Sequence, residues 1–414
     1  MKKLIWAFLT ILIFSCGCAT TSLKEDRSRQ RSSPPNASQT RLSQEEQKVA
    51  SQDAYENFKS ASELIVPADI SNFHIFTEVL KKGWGEENKN LEKLLSDNEP
   101  AFKEFQNSLD KKQLTLPAFK NYEERRECLF ILDRLRELTR LLNLKFQFQI
   151  YKKDYVKAMQ CCFDIARFGQ LLEKGGNSLS KRMGMAIESN GYKNLRDTVF
   201  LQTNRPNYPH LLENIQSLQK NVDVRKHFEE ILKKEFVDIK FNVSPLLLSE
   251  IDWQKFIESY QASGYTQEDV EQSVRACYVD AMKDINLPYN KGLKAWALEE
   301  NPQNPVRQIF MPVLRNMYIE CGRLDTERDA TFIIIGLEYY YNKNKQYPGK
   351  LSDLVPTYLP YLPNDPFSAE PFIYQRRGKG WIMHSIGNDL KNDFGQISSY
   401  LSKDGTGDII FYKE

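Results

Sequence analysis

The sequence has little excess of either charge and few residues that break regular structure. Its 414 residues carry 57 lysines and arginines against 55 aspartates and glutamates, which leaves no basic field for nucleic acid. Its 19 glycines and 18 prolines are too few for a collagen-like or wholly disordered chain. A mean hydropathy of −0.55 excludes a polytopic membrane protein. The remaining composition is globular, and the length suggests roughly two or three domains.

The motifs of the common enzyme classes are also missing. The sequence contains no GxSxG, GxxxxGK[ST] or GxGxxG pattern. None of its four histidines, His74, His210, His227 and His384, stands in an HExxH pattern or beside a metal ligand at helical spacing. His384 and Ser385 are adjacent in a predicted strand, so they face opposite sides and do not form a base and its nucleophile. We therefore expect a protein that is not an enzyme.

Cysteine is scarce and has no metal-binding spacing. Five of the seven cysteines lie in the body of the chain, and an odd number cannot pair completely. Cys161 and Cys162 are neighbours on a predicted helix, and Cys128 lies on the preceding one. In a helical hairpin that turns at residues 149–153, Cys128 is about 20 Å away from this pair, beyond disulfide reach. We expect these cysteines to be small buried hydrophobic residues.

The first segment has the pattern of an export signal. Met1-Lys2-Lys3 is cationic, and the apolar run over residues 4–14 is too short to span a bilayer of about 30 Å as a helix. Ile13-Phe14-Ser15-Cys16 resembles the lipobox of bacterial lipoproteins, in which the cysteine is lipidated and becomes the mature N-terminus. The neighbouring frame Ser15-Cys16-Gly17-Cys18 makes Cys18 the alternative lipidation site. Ordinary cleavage near Gly17-Cys18-Ala19 and an uncleaved anchor are the other interpretations.

This resemblance implies a signal peptide over residues 1–16, followed by a flexible tether over residues 17–42. The tether is polar and rich in Ser, Arg and Gln, so it cannot bury enough apolar area to offset its ordering entropy. In Gram-negative lipoproteins the absence of Asp after the lipidated cysteine favours the outer membrane, and here Gly17 follows Cys16. The expected location is the periplasmic face of the outer membrane, with attachment through the N-terminal lipid.

Residues 43–320 have the periodicity of an all-helical domain. Apolar residues recur every three or four positions in the clearest segments, which are residues 123–149, 155–172 and 179–200. Gly175-Gly176-Asn177 predicts a break followed by an N-cap, and Gly184 and Ala186 are small residues suited to close helix packing. Residues 151–166 are weakly similar to one tetratricopeptide repeat, but a single copy does not predict a repeat array. We expect an irregular helical domain built on helix hairpins.

The pattern changes in residues 321–414. A helix that starts near Arg328 is apolar on all its faces, which predicts that it is largely buried. Predicted strands follow at residues 371–375, 381–386 and 408–411, and Gly378-Lys379-Gly380 forms a hairpin turn between the first two. We expect a small α+β domain with a short antiparallel sheet, so that the whole chain is mainly α.

Four short motifs follow this helix in a fixed order: Tyr347-Pro348, Leu362-Pro363-Asn364-Asp365-Pro366-Phe367, Pro371-Phe372-Ile373-Tyr374 and Ser385-Ile386-Gly387-Asn388-Asp389. The series resembles the globular domain of the major pseudopilins of type II secretion. The whole chain looks like uncharacterised bacterial envelope lipoproteins that place a helical region before such a tail. Pseudopilins begin with a prepilin cleavage site and a filament-packing helix, whereas this chain begins with a lipobox and its matching helix is internal. The resemblance therefore does not imply a filament subunit.

The pseudopilin resemblance also implies a calcium site, because the acidic loop that ends the pseudopilin domain binds calcium. The matching position is Asp389, and further oxygen ligands would come from the Ile386 carbonyl, Asp393 and Asp408. Leu390 stands where the family has glycine. The alternative is that Asp, Asn and Gly residues only form turns here. No other cofactor is indicated.

These features predict a non-enzymatic exported lipoprotein with a structural or interaction role in the cell envelope, linked to a type II secretion or pilus-like machine. Its expected partners are the membrane, through the N-terminal lipid, and envelope or secretion proteins, but not nucleic acid. Two alternatives stay open. One is an envelope hydrolase with a site between the helical body and the C-terminal domain, and the other is a ligand-binding module.

Overall fold

The predicted signal peptide over residues 1–16, with Cys16 and Cys18, and the predicted tether over residues 17–42 lie outside the residues that the structure describes. The computed structural model of the chain describes residues 53–68, 70–112, 114–116, 122–201, 206–221, 223–237, 258, 260, 261, 264–296, 304–395 and 407–414. All of these belong to one compact unit, Lys48–Glu414.

The described chain is mostly helical and ends in a small antiparallel sheet, which confirms the predicted fold class. Short 3-10 helices lie at Glu86–Asn88 and Leu351–Leu354. Within the described ranges, no helix is both long enough and apolar enough to cross a membrane. The α-helices, in chain order, are α1 (Tyr55–Glu63), α2 (Ile70–Lys82), α3 (Asn90–Asp97), α4 (Glu99–Leu109), α5 (Tyr122–Tyr151), α6 (Tyr155–Lys174), α7 (Ser178–Leu201), α8 (Tyr208–Asn221), α9 (Val224–Val237), α10 (Gln267–Asp284), α11 (Tyr289–Ala295) and α12 (Pro305–Asn344).

The three helices with the clearest apolar periodicity, α5, α6 and α7, begin and end within a few residues of the predicted bounds. The predicted hairpin turn lies between α5 and α6, where Lys153 takes a left-handed backbone conformation with φ 57°. Asn177 stands before α7 as predicted, and its Oδ1 accepts a hydrogen bond from the Ser180 amide at 3.0 Å. Sequence periodicity and capping residues therefore placed these helices correctly.

α6 and α7 are antiparallel and touch through their backbones. A Cβ atom on Gly169 would lie 2.6 Å from the Gly184 carbonyl oxygen, and one on Gly184 would lie 2.5 Å from the Gly169 carbonyl oxygen. Further along the pair, a Cβ atom on Gly191 would lie 2.8 Å from the Cys162 carbonyl oxygen. The predicted packing role of Gly184 is confirmed, whereas that of Ala186 is wrong, because Ala186 is exposed.

The α6–α7 pair contributes to two hydrophobic clusters. Phe168 of α6 packs with Phe58 of α1 and Phe105 of α4, with ring centroids 4.9 Å and 5.2 Å away. This first cluster gathers buried side chains from α1 to α7. Cys162 and Ala166, on another side of α6, belong to a second cluster that extends through α8–α12 to the sheet. The pair therefore lies between the two cores and is shared by both.

α12 runs without interruption through residues 320 and 321, where the sequence predicted a boundary between a helical domain (43–320) and a C-terminal domain (321–414). It begins at Pro305 rather than near Arg328 and has 40 residues. Its buried Met317, Cys321 and Leu324 lie in the second cluster, and the helix contacts α7, α8, α9 and α10. The two predicted domains are therefore parts of a single unit, joined by one continuous helix.

The C-terminal sheet has three antiparallel strands in the order β1 (Ile373–Arg377), β2 (Gly380–Ser385) and β3 (Ile409–Lys413). The hairpin turn is Gly378-Lys379, because Arg377 pairs with Gly380. Trp381, Met383 and Phe411 are buried in the second cluster. The three predicted strands are thus confirmed, with bounds that shift by up to two residues.

We predict that Gly169→Ala lowers the free energy of unfolding by about 2 kcal/mol, although alanine is the better helix former by about 1 kcal/mol. The added Cβ would lie 2.5 Å from the Glu188 amide nitrogen, so the helices must separate. Urea unfolding measures the change. The matched control is Gly349→Ala, where the nearest atom to the new Cβ is 3.9 Å away. Equal stability of the two variants would contradict the backbone contact.

Candidate functional site

Two motifs of the series that carries the pseudopilin resemblance meet at one buried carboxylate, Asp365, which is 1% exposed. Its Oδ1 accepts hydrogen bonds from the Ser385 hydroxyl at 2.6 Å and the Phe367 amide at 3.1 Å. Its Oδ2 accepts one from the Ile386 amide at 3.2 Å. Asp365 of the LPNDPF motif therefore forms hydrogen bonds with Ser385 and Ile386 of the SIGND motif.

The turn around Asp365 is closed by its own backbone. The Asp365 amide donates to the Glu370 carbonyl at 2.7 Å, and the Ala369 amide donates to the Asp365 carbonyl at 2.8 Å. Phe367, two residues further along the motif, is fully buried, with its ring centroid 5.7 Å from that of Tyr289 on α11. This turn fixes the end of β2 to the helical body.

We predict that Asp365→Ala lowers the free energy of unfolding by at least about 3 kcal/mol, because three donors lose a charged acceptor. Asp365→Asn keeps one carbonyl oxygen and should lose less. Chemical denaturation of the whole chain measures both. Glu370→Ala is the control, because this side chain is exposed in the same turn. A loss for Asp365→Ala no larger than for Glu370→Ala would refute the role of the carboxylate.

The residues predicted to bind calcium lie in the loop after β2 and at the start of β3. Asp408 is 9% exposed, and its two oxygens accept hydrogen bonds from the amides of Asp393 at 3.2 Å and Gly395 at 2.8 Å. His384 Nε2 lies 3.5 Å from Asp408 Oδ2. Asp389 Oδ1 accepts a hydrogen bond from the Lys391 amide at 3.1 Å. The carboxylates thus organise the loop by accepting its backbone donors.

The hydrogen bonds of Asp389 and Asp408 fit the alternative in which acidic residues shape turns. In the described part of the chain, no three His, Cys, Asp or Glu side chains converge as a metal-binding group. Leu390 has φ 60°, a left-handed conformation that favours glycine.

The calcium site stays a prediction, and its test is thermal unfolding of the intact chain with calcium and with EDTA. If the site exists, calcium at about a hundred times its dissociation constant stabilises the fold by about 2.7 kcal/mol. Asp389→Ala should abolish the effect, whereas Asp133→Ala, on the exposed face of α5, should retain it. An unchanged midpoint at millimolar calcium would eliminate the site.

A second cluster of charged groups, which the sequence analysis missed, lies where α6 meets α7. Glu173, Lys181 and Glu188 have no exposed surface. Lys181 Nζ lies 3.2 Å from Glu173 Oε2 and donates to the Val224 carbonyl at 2.9 Å. Glu188 Oε1 accepts hydrogen bonds from Gln170 Nε2 at 2.9 Å and from the Tyr192 hydroxyl.

Burial raises the pKa of Glu173 well above its ordinary value; Lys181 opposes the shift, and the Glu188 carboxylate adds to it. The sequence contains a pattern that could have revealed this buried cluster. Lys181, Gly184, Glu188 and Gly191 recur every three or four positions, which puts the charges on the same face as the packing glycines.

A third buried carboxyl group, Glu235 of α9, lies at the first residue of α7. Its Oε1 accepts hydrogen bonds from the Ser178 amide and hydroxyl, both at 2.8 Å, and its Oε2 accepts from the Tyr278 hydroxyl at 3.0 Å. It thereby joins α7, α9 and α10. Burial raises the pKa of Glu235 to about 7, although these hydrogen bonds oppose the shift.

A carboxyl group whose pKa is higher in the folded than in the unfolded state stabilises the fold fully below its unfolded pKa. For Glu235 this stabilisation is lost as the pH rises from about 4.5 through about 7. We predict that Glu235→Gln flattens the fall of the unfolding free energy between pH 5 and 8 by about 3 kcal/mol. Urea unfolding across this range tests it, with the exposed Glu230→Gln on the same helix as control. Parallel pH profiles for Glu235→Gln and wild type would exclude the titration.

The cysteines and the His384-Ser385 pair lie as the sequence predicts. Cys128, Cys161, Cys162, Cys277 and Cys321 are unpaired and buried. Burial raises the pKa of Cys128 to about 11, so its reactive thiolate is not populated at neutral pH. Ser385 turns toward Asp365 and His384 toward Asp408, which confirms that they face opposite sides of the strand.

No protein-family model, curated protein or solved structure matches this chain. Inference about its function therefore depends on its own residues. The relevant features are the pattern of the first residues, the motifs that meet at Asp365 and the distribution of charge over the described surface.

Proposed function

We propose that this protein is an exported, non-enzymatic lipoprotein with a structural or interaction role in the cell envelope. Its lipidation site is Cys16, with Cys18 as the alternative, and it is attached to the periplasmic face of the outer membrane. Its partners are envelope proteins of a type II secretion or pilus-like machine. The lipobox-like start and the polar segment that follows it support the anchor and the tether.

The observation that carries the link to secretion is the contact at Asp365. The LPNDPF and SIGND motifs are separate in the sequence, and each alone is a short pattern with a high chance of random occurrence. The 2.6 Å hydrogen bond between Ser385 and Asp365 makes them parts of one structural element. This supports a structural basis for the pseudopilin resemblance, because a shared turn needs both residues.

The anchor is tested by metabolic labelling of the whole chain with a fatty-acid analogue in a Gram-negative host. We expect label and membrane fractionation in the wild type, loss of both in Cys16→Ser, and their retention in Cys18→Ser. Label that is lost only in Cys18→Ser would assign the alternative cysteine. A wild-type protein without label would refute the lipoprotein proposal.

The interaction role is tested by crosslinking in intact cells followed by affinity purification. We expect envelope proteins of a secretion or pilus-like machine to be enriched with the wild type. The Cys16→Ser/Cys18→Ser variant, which lacks the anchor, should capture fewer of them. Purification that recovers no envelope protein would count against an interaction role.

One observation favours the alternative of an envelope hydrolase. Asp329 of α12 accepts a hydrogen bond from Gln219 of α8 at 3.0 Å, and Gln219 accepts one from the Tyr361 hydroxyl at 2.8 Å. Burial raises the pKa of Asp329 to about 6, a range in which a carboxyl group can exchange protons near neutral pH. Hydrolysis of peptidoglycan or ester substrates that is lost in Asp329→Asn would replace our proposal by this one.

A further inference from the structure

Two turns of the chain meet at one end of the α5–α6 hairpin. The loop after α2 places the ring centroid of Trp84 at 4.8 Å from that of Phe148 and at 6.5 Å from that of Tyr151. The loop is close to α5, because a Cβ atom on Gly83 would lie 3.7 Å from Gln147 Oε1. We call this surface the basic tip and define it by Lys81, Trp84, Tyr151, Lys152, Lys153 and Val156.

The turn that carries the lysines is tightly hydrogen-bonded. The Lys153 amide donates to the Ile150 carbonyl at 2.9 Å, and the Asp154 amide donates to the Gln149 carbonyl at 3.0 Å. This is the pattern of a Schellman C-cap, in which the left-handed position is usually glycine. Here that position holds Lys153, with φ 57°. Lys153 therefore takes a backbone conformation that is unfavourable for lysine, at a position where its side chain is exposed.

The tip has an excess of unpaired positive charge. Three exposed lysines at this end pair with carboxylates, and these are Lys82 with Glu78, Lys89 with Glu86 and Lys157 with Asp154. Lys81, Lys152 and Lys153 are exposed and have no carboxylate within ion-pair distance in the described part of the chain. The Lys152 ammonium lies 5.1 Å from the ring centroid of Phe148.

Apolar and aromatic surface accompanies these charges. Val156, in the first turn of α6, is 73% exposed. Trp84 and Tyr151 are half-buried; the Trp84 indole nitrogen is itself buried, and the Tyr151 hydroxyl donates to Glu86. Tryptophan and tyrosine favour the level of the lipid headgroups, and lysine stems cover apolar surface while their ammonium groups reach anions. Apolar, aromatic and cationic groups on one surface match the interface of an anionic bilayer.

We propose that the basic tip is a peripheral contact site for an anionic lipid bilayer. Lys81, Lys152 and Lys153 attract the phosphate groups, and Val156 enters the headgroup region. This inference rests on the proposed function, because a lipid anchor is what holds the body near a membrane. A flexible chain of the length predicted for the tether spans about 30 Å, so the anchor would keep the body within that range of the membrane.

Vesicle flotation of residues 19–414 tests the proposal without the lipid anchor and keeps the whole compact unit, Lys48–Glu414. One set of vesicles contains equal parts of phosphatidylglycerol and phosphatidylethanolamine, and the other contains phosphatidylcholine alone. We expect binding to the anionic vesicles at low ionic strength, loss of binding at high ionic strength, and no binding to phosphatidylcholine.

Tip variants should weaken the binding by roughly fivefold for each lysine removed, as in Lys152→Gln/Lys153→Gln. Lys152→Arg/Lys153→Arg should restore it. The control Lys226→Gln/Lys234→Gln makes the same charge change on exposed positions of α9. α9 contacts the start of α7 through Glu235, so it lies at the far end of α6, about 30 Å from the tip.

Lys153→Gly separates binding from folding. Glycine suits the left-handed position, so the thermal midpoint should rise while vesicle affinity falls roughly fivefold. Val156→Ser should weaken binding without changing its salt dependence.

Absence of binding to anionic vesicles, or equal loss in the tip and α9 variants, would overturn the proposal. Tip variants that lose an acidic protein partner but bind vesicles normally would also overturn it. Because the flotation protein carries no lipid, these results are independent of the fatty-acid labelling that tests the anchor.

Discussion

The close contact between α6 and α7 is the constraint on which the rest of the structure depends. Gly169 and Gly184 let the two backbones meet at a distance that no side chain permits. The α6–α7 pair then serves both hydrophobic clusters, one with α1–α5 and the other with α8–α12 and the sheet. A substitution that separates these two helices therefore disturbs both hydrophobic clusters, because each cluster packs against one side of the same helix pair.

The same contact explains why charged residues lie in the interior. Helices this close bury Glu173 and Glu188, and a buried charged group needs partners within the protein. Lys181 lies 3.2 Å from Glu173, and Glu188 accepts hydrogen bonds from Gln170 and Tyr192. Glu235 follows the same rule at the start of α7, where its partners are hydrogen-bond donors rather than a cation. The hydrogen bonds of Glu188 with Gln170, and of Glu235 with Ser178 and Tyr278, join defined positions of neighbouring helices.

The C-terminal region depends on a different device, a buried carboxylate that joins two turns. Asp365 fixes the end of β2, and Phe367 fixes the same turn to α11. The acidic loop beyond β2 uses Asp408 in a similar way, by accepting amide hydrogens. The sequence showed these residues as a series of motifs, but it did not show their roles. An aspartate that caps a turn and an aspartate that binds calcium occur in the same sequence pattern. The basic tip, by contrast, combines residues from two turns that are separate in the sequence, namely the loop after α2 and the turn between α5 and α6.

The sequence by itself determined the fold class, the principal helices, the three strands and the burial of the cysteines, because periodicity, capping residues and turn residues are local properties. It did not determine the single compact unit, since the length of α12 and the contacts it makes at Met317 and Cys321 depend on neighbours far away in the chain. Only the tertiary structure showed that Glu173, Lys181 and Glu188 are buried together and that Trp84 meets Tyr151. Such groupings arise from long-range packing, which no local pattern encodes.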